Sequence, residues 1–173
     1  MRLENLFQNA KYFQPQHPAI HKLTGHHHPH NKYFYDHQQA ILAKGTVLSH
    51  RNWIRQNYAR EQIKISWSKF FEEWDVLICP QLATTAIEHD HKKISERTVM
   101  VDNQEQRYFQ QIFWPGLAVN AHLPSTVFPT GLSSDGMPIG LQVIGGAYED
   151  KTTIKFAELY EEEFKTFVVP NLD

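Results

Sequence analysis

Two β-patterned runs flank Ser133-Ser134-Asp135-Gly136, and this arrangement constrains the fold more than any other stretch of the chain. Asp-Gly between two such runs is a strong hairpin signal, because both residue types tolerate the positive φ that a tight turn demands. The pattern predicts strands over Ser125–Thr130 and Pro138–Gly145. Side chains alternate across a strand, so Ile139, Leu141 and Val143 share one face while Gly140 and Gln142 point the other way. The glycine lets another backbone come close on that side.

The remaining elements are read around this hairpin. Asp75-Val76-Leu77-Ile78-Cys79-Pro80 holds four apolar residues in a row ended by proline, the pattern of a strand buried on both faces. Before it, Ile63, Trp67, Phe70, Phe71 and Trp74 fall on one helical stripe, predicting a long helix from Ser49 to Trp74. An earlier helix is predicted from Asn31, carrying Tyr33, Phe34, His37, Ile41 and Leu42 and stopped by Gly45. Leu3–Phe13 could form a short helix, although residues 1–30 are poorly patterned and interrupted by Pro15, Pro18, Gly25 and Pro29. Residues 81–105 read as a long polar loop, and Gln106–Ala118 as a helix whose end Pro115 and Gly116 obscure. The last helix should open at Asp150, with Phe156, Tyr160, Phe164 and Phe167 on its buried stripe. No internal repeat is visible.

Composition narrows the function classes. Seventeen basic and nineteen acidic side chains in 173 residues give a formal charge of -2, so polyanion binding, and with it nucleic acid, has no electrostatic footprint. No stretch reaches the ~18 apolar residues of a membrane span, and a membrane partner is not expected. A lone cysteine, Cys79, excludes an internal disulfide and fits a reducing cytoplasm. Together these features lead us to expect a cytoplasmic protein.

Three segments in order carry a family resemblance. Asp75–Pro80 resembles a D-V-L-L-x-P strand, Leu123–Gly131 an L-P-A-x-x-x-P-x-G strand, and Gly136–Gln142 a G-L-P-x-G-x-Q strand. With the terminal helix from Glu149-Asp150, and the upstream Leu48-Ser49-His50 and Arg60, they are similar to the C-terminal part of amidase-signature hydrolases. The resemblance runs from about Asn31 to the end. It implies an α/β fold, here a partial one: pieces of a mixed β-sheet with a closing antiparallel hairpin, flanked by helices. Residues 1–30 would then be an N-terminal segment and 31–173 the C-terminal portion of the amidase-like domain. Family members hydrolyse carboxamides through a Ser–cis-Ser–Lys triad, in which a positioned base activates a serine hydroxyl and amide N–H groups hold the oxyanion. The triad lies in a glycine- and serine-dense stretch with no counterpart in this chain. Ser133-Ser134 belongs to the hairpin turn, and Lys92 and Lys93 follow the first strand rather than precede it. No catalytic residue is therefore assigned, and the chain alone should be inactive. The resemblance implies a small amide substrate for the complete enzyme and no cofactor. It also raises the possibility of a partner, either an N-terminal amidase chain or a second copy. An alternative is a non-catalytic subunit or binding module that completes a sheet with a partner chain.

Other candidate residues are weighed individually. Phe113, Trp114 and His122 are the candidates for substrate binding. The aromatics, with Tyr108 and Phe109, could wall an apolar acyl site or equally be core, and His122 stands where many family members have glycine. His122 and Ser125 could suggest a nucleophile–base pair, but no nearby carboxylate is placed to orient the imidazole. Cys79 on a buried strand should be an inert thiol. His26-His27-His28-Pro29-His30 and His89-Asp90-His91 could bind a metal, yet neither presents a convergent ligand set. No metal site is assigned, and a histidine-based metal-binding protein is the least favoured reading.

Overall fold

The computed structural model describes residues 10–12 and 45–170. The expected helix over Asn31–Leu42 and the tract His26–His30 lie outside the described residues, as does most of Leu3–Phe13. The described part of that last segment, Ala10–Tyr12, is a strand (β1) and not a helix. It lies parallel to β2 (Val76–Pro80), pairing Ala10 with Val76 and Tyr12 with Ile78.

The helix predicted from Ser49 is present as α1, His50–Phe71. Ser49 caps it: its backbone is extended, and its Oγ accepts the N–H of Asn52, satisfying one of the orphan donors of the first turn. Only the second half of α1 meets the core. Trp67 is buried, stacked on Phe71 and edge-on to Phe70, whereas Trp53 and Tyr58 remain exposed. The helix stops short of Trp74.

The predicted hairpin is formed by β5 (Ser125–Leu132) and β6 (Pro138–Gly145). Ser133 N–H donates to the Met137 carbonyl, the Met137 N–H returns to Ser133 Oγ, and Gly136 takes a φ of 76°. Ser133 is a turn residue, as the sequence suggests. Pro129 sits on the outer strand, where its missing N–H costs no ladder bond. A bulge follows it, with Gly131 at a φ of 114°.

Among the described residues the sheet has four strands in the order β1-β2-β6-β5. Strand β6 runs antiparallel to both its neighbours, setting Leu77 opposite Ile144 and Cys79 opposite Gln142. Its two faces are covered separately. Leu77, Cys79 and Ile144 pack with Trp67 of α1 and with Leu117, Ala118 and Ala121 of α2 (Phe113–Ala121). Val76, Ile78, Phe128 and Val143 pack against Phe156 of α3 (Asp150–Phe164). The alternation read from the hairpin sequence is therefore the division between two hydrophobic layers. Gly145 permits the close seating of α3: a Cβ there would lie 2.8 Å from Thr153 Cγ2.

Three expectations are corrected. Residues 81–105 are not one loop: they contain β3 (Thr98–Val101) and the start of β4 (Gln104–Arg107), joined through Asp102 and Asn103 at φ of 49° and 60°. Gln106–Ala118 is not one helix. Strand β4 gives way to a 3₁₀ turn over Tyr108–Ile112 and then to α2. Pro115 falls in the first turn of α2, where its N–H would have no intrahelical partner anyway. Helix α3 opens at Asp150 as expected, but its predicted buried stripe does not hold throughout. Phe156 is fully buried, but Phe164 is 50% exposed and Phe167 lies past the helix end.

Candidate functional site

Helix α2 carries the three candidate substrate-binding residues, and its surroundings fix each one. Phe113 and Trp114 open the helix and meet edge to face, with ring centroids 5.4 Å apart. Both are partly buried against the Trp67–Leu77–Ile144 layer. Trp114 is also held by its backbone, since its carbonyl accepts Gln142 Nε2 at 2.9 Å.

Gln142 is the polar centre of this region. It is 1% exposed, and both its functional ends are occupied. Nε2 donates to the Trp114 carbonyl and to the Pro80 carbonyl at 3.0 Å, and Oε1 accepts Ser125 Oγ at 3.0 Å. One side chain thereby ties the end of β2, the start of β5 and the first turn of α2. A buried amide is tolerated because it is bonded in this way. The sequence marks Gln142 only as the last residue of a strand motif, and nothing local reveals that three distant segments converge on it.

His122 stands at the other end of α2. Eight residues at 1.5 Å each separate it from Trp114 by about 12 Å along the helix, so the structure brings Phe113 and Trp114 together and sets His122 apart. His122 is the C-terminal cap in a left-handed conformation, φ 56°. The Leu123 N–H reaches back to the Ala118 carbonyl at 3.0 Å and the His122 N–H to Val119 at 3.3 Å, closing the helix as a C-terminal glycine commonly does. The exposed imidazole meets Arg60 of α1, with Nη1 3.1 Å from Nε2. Guanidinium nitrogens can only donate, so in this contact Nε2 is the acceptor. Arg60 Nη2 donates to Asn57 Oδ1, and among the described residues Arg60 Nε is buried without a partner.

The nucleophile candidates resolve differently from a catalytic pair. Ser125 Oγ is turned to Gln142 and makes no bond with His122. Burial pushes the Cys79 thiol up to about 12, with the neighbouring Gln142 side chain acting the other way. It is a packing residue at neutral pH. Ser134 Oγ lies 3.4 Å from Asp135 Oδ1 within the turn. Among the described residues no three of His, Cys, Asp and Glu come close enough to hold a metal ion.

A cavity of about 710 Å³ is lined by Leu82, Ala83, Met100, Val127, Ile139 and Leu141 among others. Gly140 also lines it, and a Cβ there would sit 3.3 Å from Val127 Cγ1 and 3.4 Å from the Phe128 carbonyl oxygen. Gln111, itself buried, pins one wall by accepting the Ala83 N–H at 3.0 Å.

The match to known proteins follows the same segments. A family model described as Amidase matches residues 4–154. The chain belongs to the amidase family. It is similar to a glutamyl-tRNA(Gln) amidotransferase subunit of Thermosynechococcus vestitus, 35% identical over 111 residues, which are 64% of this chain and 21% of that protein. The corresponding protein of Aliarcobacter butzleri is 36% identical over 120 residues, 66% of this chain and 24% of that protein. This amidase chain thus spans about a fifth to a quarter of the length of these curated relatives. Among solved structures, the glutamyl-tRNA(Gln) amidotransferase subunit of Thermotoga maritima superimposes with a TM-score of 0.55 at 20% identity, covering 83% of this chain and 31% of that one. A crystal structure described as amidase gives 0.55 at 22% identity, covering 73% and 28%. These two likenesses support the α/β fold. No helix among the described residues is long and apolar enough to cross a membrane.

Proposed function

We propose that this chain is the C-terminal portion of an amidase-signature hydrolase acting on carboxamides, and that it is inactive without an upstream catalytic portion. The observation that carries the reading is the family match over residues 4–154 in a sequence with no glycine- and serine-dense stretch. In this reading residues 31–173 are the amidase-like portion, with β1 reaching back to it as an edge strand. Phe113 and Trp114 wall the acyl side of the amide substrate, and His122 stands at the far end of the same helix. The chain contributes no nucleophile or base, so its role is to support and shape a site whose chemistry lies elsewhere.

A partner chain follows from the same reading. Among the described residues strand β5 has β6 on one side only, and an edge strand is a template for pairing. Relatives named as subunits of an amidotransferase support a partner of this kind. The cytoplasm is the proposed compartment, as the lone Cys79 fits a reducing environment.

The test is an ammonia-release assay on simple carboxamides with the purified chain. We expect no turnover above buffer, and robust turnover would overturn the assignment. Size-exclusion chromatography addresses the partner: a stable, clean monomer would argue against an obligate second chain.

A further inference from the structure

Away from α2, the segment before β3 folds around one arginine. Arg97 Nε donates to the Lys92 carbonyl at 2.7 Å, and the guanidinium lies over the Tyr108 ring, 5.9 Å from its centroid. Tyr108 is fixed beneath it by its N–H, which bonds the Arg97 carbonyl at 3.0 Å. One edge of the guanidinium is thus engaged, and its Nη groups have no protein partner among the described residues. Arg97 lines a cavity of about 250 Å³ together with Glu88, His89, Asp90, His91 and Tyr108.

The charges around this cavity do not cancel by contact. Asp90 is already engaged: its Oδ1 accepts the Lys92 N–H at 2.9 Å, and its Oδ2 lies 3.8 Å from Lys92 Nζ. Arg97 and Glu88 remain, one cation and one anion lining the same space, and they form no ion pair with each other or with any other described residue. His89 and His91, with ring centroids 6.4 Å apart, and Tyr108 complete the wall with residues that can donate or accept. At about 30 Å³ per water the space holds roughly eight waters.

We propose that this cavity is a binding site for a small zwitterion, a molecule carrying a carboxylate next to a cationic nitrogen. The planar fork of Arg97 suits a carboxylate, which can accept two of its N–H groups side by side. Glu88 supplies the counter-charge for the cationic nitrogen, so that a ligand inserted between the two completes a charge pair that the protein leaves open. A simple anion would meet Arg97 but also face Glu88, and a simple cation the reverse. The site contains no nucleophile and is independent of the amide chemistry proposed above.

The experiment is an NMR titration of the His89 and His91 ring protons, assigned with His89→Gln and His91→Gln, using glycine, acetate and methylamine as probes against sodium chloride. Glycine should give a saturable shift, acetate a shift with at least tenfold weaker affinity, and methylamine none beyond the salt control. A tenfold step is the least expected for losing one charge-assisted bond. Arg97→Gln should abolish the glycine response. Glu88 is exposed, and Glu88→Gln should leave the fold intact while bringing glycine down to the affinity of acetate. If glycine produces no saturable shift in the wild-type chain, or if Glu88→Gln leaves the preference for glycine over acetate intact, the proposal is wrong.

Discussion

Replacing Gln142 with leucine tests how far this chain depends on a single buried amide. The substitution keeps a side chain of similar bulk on the strand but removes three hydrogen bonds, to the Pro80 carbonyl, the Trp114 carbonyl and Ser125 Oγ. A typical intramolecular hydrogen bond is worth about 1 kcal/mol net, and a buried group left unsatisfied costs about 1–3 kcal/mol. Ser125 is exposed and can turn to water; the two carbonyls lose their side-chain donor in the interior. Added apolar burial from leucine offsets part of the loss, and we expect a net destabilisation of about 3 kcal/mol. For a chain of this size that is a fall in Tm of roughly 6–12 °C. Thermal unfolding followed by far-UV circular dichroism measures it. Ser125→Ala should cost no more than about 1 kcal/mol, and combining the two should give less than the sum, because they remove one bond in common. A Gln142→Leu variant melting within about 2 °C of wild type would refute the argument that this network holds β2, β5 and α2 together.

Three further outcomes are expected. Cys79 has a folded pKa of about 12 against the ordinary 9.0, so the unfolded thiol releases its proton first. The thiol should therefore cost the fold nothing below about pH 9 and should lower stability as pH rises from there toward 12; at about pH 8 Cys79 should react with a thiol reagent only after denaturation. His122 occupies a left-handed conformation that costs a side-chain-bearing residue about 1–2 kcal/mol. His122→Ala should lose the Arg60 bond and destabilise by about 1 kcal/mol, while His122→Gly recovers the backbone strain and stays within about 0.5 kcal/mol of wild type in urea unfolding. Gly145→Ala should cost about 1–3 kcal/mol by the same measurement, because the new Cβ would overlap Thr153 Cγ2 at 2.8 Å and push α3 off the sheet.

What can be read from the sequence divides along physical lines. The hairpin and β2 are legible because each has a one-sided or two-sided apolar pattern, and because Asp-Gly fixes the turn. The β3–β4 hairpin is not: Gln104, Glu105, Gln106 and Arg107 are all polar, and only Val99 of the pair is buried, so no alternation distinguishes them from a loop. The break at Tyr108–Ile112 is hidden because aromatic spacing reads alike in a 3₁₀ turn and an α-helix. The stripe on α3 reads too long for a different reason. The apolar residues continue to positions 164 and 167, but Phe164 is only half covered, against the Tyr160 ring, and Phe167 falls past the helix end. Of the candidate site, the aromatic pair on α2 can be named from sequence, but Gln142 and the open Arg97–Glu88 pair arise from segments that no local pattern connects.

The strand order has a consequence for the way the sheet is assembled. Strand β6 is the last strand in the sequence yet lies between β2 and β5. During synthesis, β2 emerges with neither of its neighbours fixed except the three-residue β1, and it must wait for nearly the whole chain before its antiparallel partner exists. The hairpin, with its short turn, can form quickly by itself; docking β2 onto it requires closing a loop that runs through β3, β4 and α2, which is the slower step. Folding of this chain should therefore begin at its C-terminal end and proceed backward, and an apolar β2 stays without a seat until the final strand is made.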